Sequence, residues 1–541
     1  MYRRLAFSRS VGAIALVLIA GLNVVPIRAQ SSSPSQPPTT EQHQHPAATP
    51  AQEHGDHDVQ MAREGSGTAW LPDTTPMYAI HWQRGPWQFM AHENVFIQFL
   101  HESGDRGDDQ FGSINWIMGM AQRNAGKGRV TFRGMFSAEP WTIRGCGYPD
   151  LLASGEQCKG EQIHDRQHPH DLLMEISAEY DAPLKGPVRW QVYGGPAGEP
   201  ALGPVAYPHR VSAMPNPLAP ISHHWLDSTH ITFGLLTAGV YANRWKAEAS
   251  VFNGREPDEK RADFDFGALD SFSGRLWFLP TSKLALQVSA GRLTEAEASE
   301  DGGPGTDVTR ATASATYHSA FRDNSIWATT IGWGRNEESG HASNALLIET
   351  NLTFDERHAW FGRFEIASKT AHDLAVAETA DAFTVAKLQG GYTRYFSAWQ
   401  GLKPGVGASV SAGFVPERLE PAYGGRINPG FGLFVTLRPA AMMHQSSAAA
   451  NATVDHAQHA LSQPTQSAPP AGAAQKPAGR TMVMVQTALD PAKLSCFSKI
   501  DPKESPQTTY QGKTYYFCSV KERDEFLTDP AMSLFMMPPK R

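Results

Sequence analysis

Two short runs concentrate the side chains that could hold a metal ion. HDRQHPHD (164–171) offers His164, Asp165, His168, His170 and Asp171. SHHWLDSTH (222–230) offers His223, His224, Asp227 and His230. Imidazole mixed with carboxylate suits Zn, Cu(II) or Ni. A catalytic zinc takes three protein ligands and keeps a fourth position open. No HExxH-type pattern supplies ligands and base together. These runs therefore read as a metal site or a polar constriction, and only third as the rim centre of a metal-dependent enzyme. The plainer alternative is a hydrogen-bonded network that ties two loops together.

The chain has 541 residues and only four cysteines. Arg3, Arg4 and Arg9 precede the apolar run VGAIALVLIAGL (11–22), which is too short to span a bilayer. This reads as a signal peptide over 1–29, although Ile27 is larger than the usual small residue at that place. Export allows disulfides. Cys146 and Cys158 flank GYPDLLASGEQ, so a disulfide closing this short loop is expected. The formal net charge of −7 gives no basic footprint for nucleic acid.

The elements that must position these residues are strands. In RWKAEASVF (244–252), Trp245, Ala247, Ala249 and Val251 oppose Lys246, Glu248 and Ser250. In AWFGRFEIASK (359–369), Trp360, Phe364 and Ile366 oppose Arg363, Glu365 and Lys369. In DLLMEISAEYD (171–181), Leu172, Met174, Ile176, Ala178 and Tyr180 oppose Glu175, Ser177, Glu179 and Asp181. Such strands need two different solvents, one on each face. About sixteen candidates follow one another, among them 170–181, 228–241 and 383–397, and the connections alternate long and short. That is the pattern of an outer-membrane β-barrel with short periplasmic turns. Trp82, Trp327, Trp333, Trp360 and Trp399 fall near strand ends, as interfacial girdles require. His92, Glu175, Glu179, Arg189, Lys246 and Glu248 should face the lumen, with Glu349, Arg363, Glu365 and Arg394. An even strand count returns the chain to the periplasmic side. The two histidine runs lead into strands with one strand between them, so they start about 10 Å apart at the rim.

The expected organisation is a signal peptide (1–29), a disordered His-rich tract (30–75), the barrel (76–439), a linker (440–480) and a small domain (481–541). The tract holds His43, His45, His54 and His57. The linker holds Met442, Met443, His444, His456 and His459. Mixed His/Met/acid tracts bind copper weakly, or are simply solvated.

The last domain reads LDPAKLSCFSKIDPKESPQTTYQGKTYYFCSVKERDEFLTDP (489–530). Cys496, Asp501-Pro502, the run Gly512 to Ser519, Phe526 and Asp529-Pro530 resemble the YHS domain, a small α+β metal-associated module. The resemblance covers about 45 residues. It departs at Phe497-Ser498, where the family has Gly-Met, and at Glu522, where it has a last cysteine. A closed zinc site needs four donors. Cys496 and Cys518, with Glu522, leave two thiolates, enough for Cu(I). A Cys496–Cys518 disulfide is the other reading. The central region also resembles uncharacterised bacterial outer-membrane barrels through GEPALGP, HRxSAMxNPxAP and HHWxDSTHITFG, here 198–204, 209–220 and 223–234.

The expectation is an all-β outer-membrane barrel of a Gram-negative bacterium, with both tails in the periplasm, handling heavy-metal ions. Copper leads and zinc follows. The resemblance implies periplasmic metal-efflux or metallochaperone partners, and porin-like oligomers fit the barrel. The alternative is a general diffusion porin whose appendage binds no metal.

Overall fold

The computed structural model describes residues 63–297, 305–322, 324–376, 382–442, 506–510, 513–517, 520, 523 and 527. Sixteen antiparallel strands close into a barrel. In chain order they are β1 (Trp87–Glu102), β2 (Asp109–Ala125), β3 (Gly128–Phe136), β4 (Leu173–Lys185), β5 (Val188–Ala197), β6 (Leu235–Ala242), β7 (Trp245–Phe252) and β8 (Ser271–Thr281). Then come β9 (Leu284–Glu297), β10 (Thr306–Arg322), β11 (Ser325–Glu338), β12 (His341–Phe354), β13 (His358–Thr370), β14 (Ala382–Tyr395), β15 (Leu402–Phe414) and β16 (Ile427–Pro439). Closure sets Gly430–Leu437 of β16 opposite Glu102–Val95 of β1. The short strand Ile80–Arg84 pairs with the start of β1 and continues the line of β16. Met77 and Tyr78 pair with Met442 and Ala441, so the chain enters and leaves the barrel at one seam.

The alternation seen in the sequence sorts side chains between lipid and lumen. In β7, Trp245 and Val251 are exposed outward while Lys246, Glu248 and Ser250 are buried inside. Ile117, Phe132, Leu276, Val288, Ile331 and Val410 continue an apolar outer belt. Trp82, Trp327, Trp333, Trp360 and Trp399 are exposed as well. In water this belt would forfeit about 25 cal/mol for each Å² left bare; lipid removes that cost. Polar residues fill the inside, the reverse of a soluble sandwich.

Four expectations need correction. Residues 228–234 are not strand: a 3-10 turn at Ser228–His230 precedes β6. Met174 is not on the outer face, because a register shift between β3 and β4 turns it inward against Met118 and Met135. Arg394 is not lumenal; it lies opposite His358 on the face that carries the exposed Trp360. Residues 63–75 are not part of a disordered tract. Ala69, Trp70 and Leu71 are buried in a core with Tyr241, Trp277 and Leu279.

The chain divides into two compact units, Met1–Gln445 and Ser446–Arg541. In the second, Gln507–Tyr510 and Lys513–Tyr516 form a hairpin with Thr508 opposite Tyr515. Cys496, Cys518 and Glu522 lie outside the described residues, as do His43, His45, His54, His57, Met443, His444, His456 and His459.

Candidate functional site

Three segments fold into the lumen. The first is residues 63–79, where Glu64 accepts hydrogen bonds from Arg129 and Arg133 of β3 at 3.1 and 3.2 Å. Lys246 of β7 donates to the Thr68 carbonyl.

The second segment is the loop 137–172. It holds a hairpin, Tyr148–Cys158 with Glu161–Gln167. A disulfide joins Cys146 to Cys158. Lys387 of β14 donates to Asp150 at 2.6 Å and to Glu102 at 2.7 Å.

The third segment is the loop 198–234, which crosses to the opposite wall. Arg210 donates to Glu349 of β12 at 2.5 Å and to Asp227 at 2.6 Å. The Ser222 hydroxyl donates to Glu365 of β13 at 2.7 Å. Asn216 donates to Gln389 of β14 at 2.7 Å. Buried charges hold their place only when paired and hydrogen-bonded, and here Glu64, Asp150 and Arg210 each meet a wall charge of opposite sign.

These two loops bring five of the sequence-predicted histidines together. Ring centroids of His223 lie 5.1 Å from His230, 5.4 Å from His224 and 6.2 Å from His168. His170 lies 5.3 Å from His230. His164 is elsewhere: it contacts Arg106 at 2.5 Å and is partly exposed. Asp165 is structural, accepting from the Leu152 amide at 2.9 Å. Asp171 pairs with Arg261.

Second partners orient the rings. His223 Nδ1 meets Asp227 Oδ1 at 2.8 Å, and His230 Nδ1 meets the Asp227 carbonyl at 2.9 Å. His170 Nδ1 meets Glu139 at 2.9 Å while its Nε2 meets the Tyr207 hydroxyl at 2.9 Å. This is the outer-shell arrangement that fixes tautomers beside metals. His230 Nε2 is buried without a hydrogen bond. Neither ring nitrogen of the buried His224 has one either, although its Nδ1 stands 2.8 Å from Glu256. His224, Glu256 and Glu297 place one ligand atom each within 4.8 Å of one another. That nitrogen–oxygen set fits Zn or another divalent ion, and among the described residues no thiolate joins it. Gly155 (φ +117°) packs on this ring; a Cβ there would stand 2.2 Å from His224 Cε1.

Burial sets the electrostatics. It pushes His223 and His224 down to about 4, and His168 and His230 well below the usual histidine range. His170 goes the other way: burial opposes its charge, but the Glu139 carboxylate outweighs it and raises the pKa. Asp227 is held low although burial opposes its charge, because Arg210 and His223 face it. Burial also raises Glu156, Glu256 and Asp171 to about 7. The cluster is thus mostly neutral histidine beside carboxyl groups that hold protons easily.

Above it, at the long-loop end, a cavity of about 790 Å³ opens. Glu156, Glu256, Asp258, Glu259, Glu297, Glu338 and Asp373 border it against Lys260 alone among its lining residues. Glu139, Glu156, Tyr207 and Glu256 were not among the sequence-predicted site residues. The acid-rich run NGREPDEKRADFDF (253–266) was the one visible hint.

No protein-family model matches the chain. No curated protein is detectably related to it. Among solved structures, the chain is similar to Salmonella typhi OmpF (TM-score 0.43, 11% identity, covering 66% of this chain and 100% of that one). It is also similar to the anion-selective porin from Comamonas acidovorans (TM-score 0.40, 9% identity, 65% and 99%). A third is the outer-membrane channel DcaP of Acinetobacter baumannii (TM-score 0.39, 7% identity, 66% and 98%). The architecture rests on the strands themselves: a closed sixteen-strand ladder with an apolar outer belt and a polar interior makes this chain an outer-membrane β-barrel.

Proposed function

We propose that this barrel is a constricted, cation-preferring channel, the porin-like reading rather than a dedicated metal handler. The loop 198–234 carries this reading, because it is fastened across the lumen to Glu349, Glu365 and Gln389. Sixteen strands alone leave a wide aqueous passage. The inward segments narrow it, and the acidic vestibule concentrates cations at its mouth. Liposome swelling with sugars of increasing size tests this: small solutes permeate and disaccharides do not. Free passage of disaccharides contradicts it.

A second reading is metal handling, with copper or zinc as cargo and the C-terminal Cys496, Cys518 and Glu522 as further ligands. His224, Glu256 and Glu297 favour it. The test is Zn(II) and Cu(II) titration of the full chain. Under this reading His224→Ala removes one bound ion; unchanged stoichiometry argues against it.

A further inference from the structure

We propose that the inner wall of β1 and β2, beneath the loop 198–234, forms a site for a soft monovalent metal ion, Cu(I) or Ag(I), with His92, Met118 and His209 at its centre. The site goes beyond the channel reading and does not depend on whether the lumen conducts. It lies toward the short-turn end of the barrel, away from the acidic vestibule.

The strand register builds it. His92 is directly opposite Met118, and Met90 is opposite Met120. Directly opposed residues share a face, and Met118 and Met120 are buried inside. His92 Nε2 lies 3.0 Å from Met118 Sδ. The loop 198–234 adds His209, whose ring centroid is 5.4 Å from that of His92. Trp116 stands beside both, 5.0 Å from His92 and 4.9 Å from His209. These groups border a cavity of about 110 Å³, which Met77 and Met214 also line. The chain holds 16 methionines, so five of them around one small cavity is a concentration of thioether that needs a reason. His81 adds a further donor: it is opposite Met90, and its Nε2 is buried without a hydrogen bond.

The donor set selects the ion. Thioether sulfur and imidazole nitrogen are neutral, and thioether prefers Cu(I)-like soft ions. Two carboxylates border the cavity: Glu64 is committed to Arg129 and Arg133, and Glu93, opposite the outward-facing Ile117, lies on the other face of β1 from His92. A divalent hard ion would find no free charge there, whereas a monovalent soft ion needs none. Metal–sulfur and metal–nitrogen bonds of about 2.3 and 2.0 Å place the two ligand atoms of one ion about 3.5–4.3 Å apart from tetrahedral to linear geometry, so Met118 swings outward from its 3.0 Å contact on binding. The unbranched methionine side chain adjusts within that range. The indole ring of Trp116, 5.0 Å from His92 and 4.9 Å from His209, is near enough to add a cation–π contact. A hydrogen bond from His92 to Met118 would account for their contact, but not for the second histidine and the four other methionines around it.

The experiment uses the full chain carrying Cys496→Ser and Cys518→Ser, so that no thiolate in the C-terminal domain competes. Ag(I), and Cu(I) under a competing chelator, are titrated into the detergent-solubilised protein, with indole fluorescence as a second readout. Met118→Leu is a near-isosteric swap that a packed site tolerates, and folding is checked by heat-dependent gel mobility. The proposal expects a bound ion whose affinity falls by about tenfold or more in Met118→Leu and in His92→Gln. It also expects Zn(II) not to displace that ion. Equal affinity in the parent and in Met118→Leu overturns the site, as does displacement by Zn(II). Neither result touches the channel reading, which liposome swelling decides separately.

Discussion

Arg210 donates to Glu349 at 2.5 Å across 139 residues of sequence, and this bond fastens the inward loop to the far wall of the barrel. Arg363 donates to the same carboxylate at 3.2 Å, and the Ser212 hydroxyl at 2.8 Å. Glu349 is 1% exposed. Replacing it by Gln leaves two buried guanidinium groups short of charge, at a cost of about 3–5 kcal/mol. Glu349→Gln should lower the heat-modification temperature of the barrel and raise its conductance. An unchanged transition with unchanged conductance would show that the loop is held elsewhere.

The Cys146–Cys158 disulfide closes a span of 12 residues in the loop 137–172. Loop-closure entropy assigns about 3 kcal/mol to a ring near this size. A Cys146→Ala/Cys158→Ala chain should still form the barrel but lose protection in this loop. Limited proteolysis checks it: cleavage near residues 145–160 is expected in the variant and not in the parent. Equal resistance in both would mean that the hairpin is held by packing alone.

Burial lowers His223 and His224 to about 4. Their folded values lie below the unfolded value near 6.5. Their neutral burial therefore favours the folded loop above about pH 6.5, and that contribution is lost as the pH falls from 6.5 toward 4. Glu156 and Glu256, raised to about 7, act in the opposite sense: they cost stability as the pH rises from about 4.5 to 7. NMR of ring-labelled histidine, assigned with His223→Gln, should show no titration of His223 between pH 8 and about 5.5. A midpoint near 6.5 would mean that water reaches the cluster.

The vestibule is acidic at Asp258, Glu259 and Asp373. Reversal potentials in a KCl gradient should report cation preference, and Asp258→Asn/Glu259→Gln, at two exposed carboxylates of the vestibule, should weaken it. Anion preference in the parent chain would remove the vestibule from the account.

Much of this was legible in the sequence because a barrel strand writes its two solvents into alternate positions. Lys246 and Glu248 against Trp245 and Val251 could be sorted without coordinates. The irregular places were not legible. A bulge turned Met174 inward, and no periodicity announces a bulge. Arg394 followed an alternation that places it outside beside His358. Residues 63–75 look unstructured by composition, yet Trp70 finds a pocket between Tyr241 and Trp277 that exists only once the barrel is closed. The two histidine runs were visible as donors, and their meeting follows from the loops folding inward. Their partner Glu139 stands at the far end of the same loop as His170, and Glu256 comes from the separate loop 253–270, and nothing in local spacing points to either.

Single-channel conductance in planar bilayers, comparing the full chain with one in which residues 206–221 are replaced by a short Gly/Ser linker, tests the constriction most directly. The account predicts small, cation-selective steps for the full chain and several-fold larger, less selective steps once the loop is gone. Equal step sizes from two well-folded barrels would contradict it, since the loop would then not be what narrows the lumen.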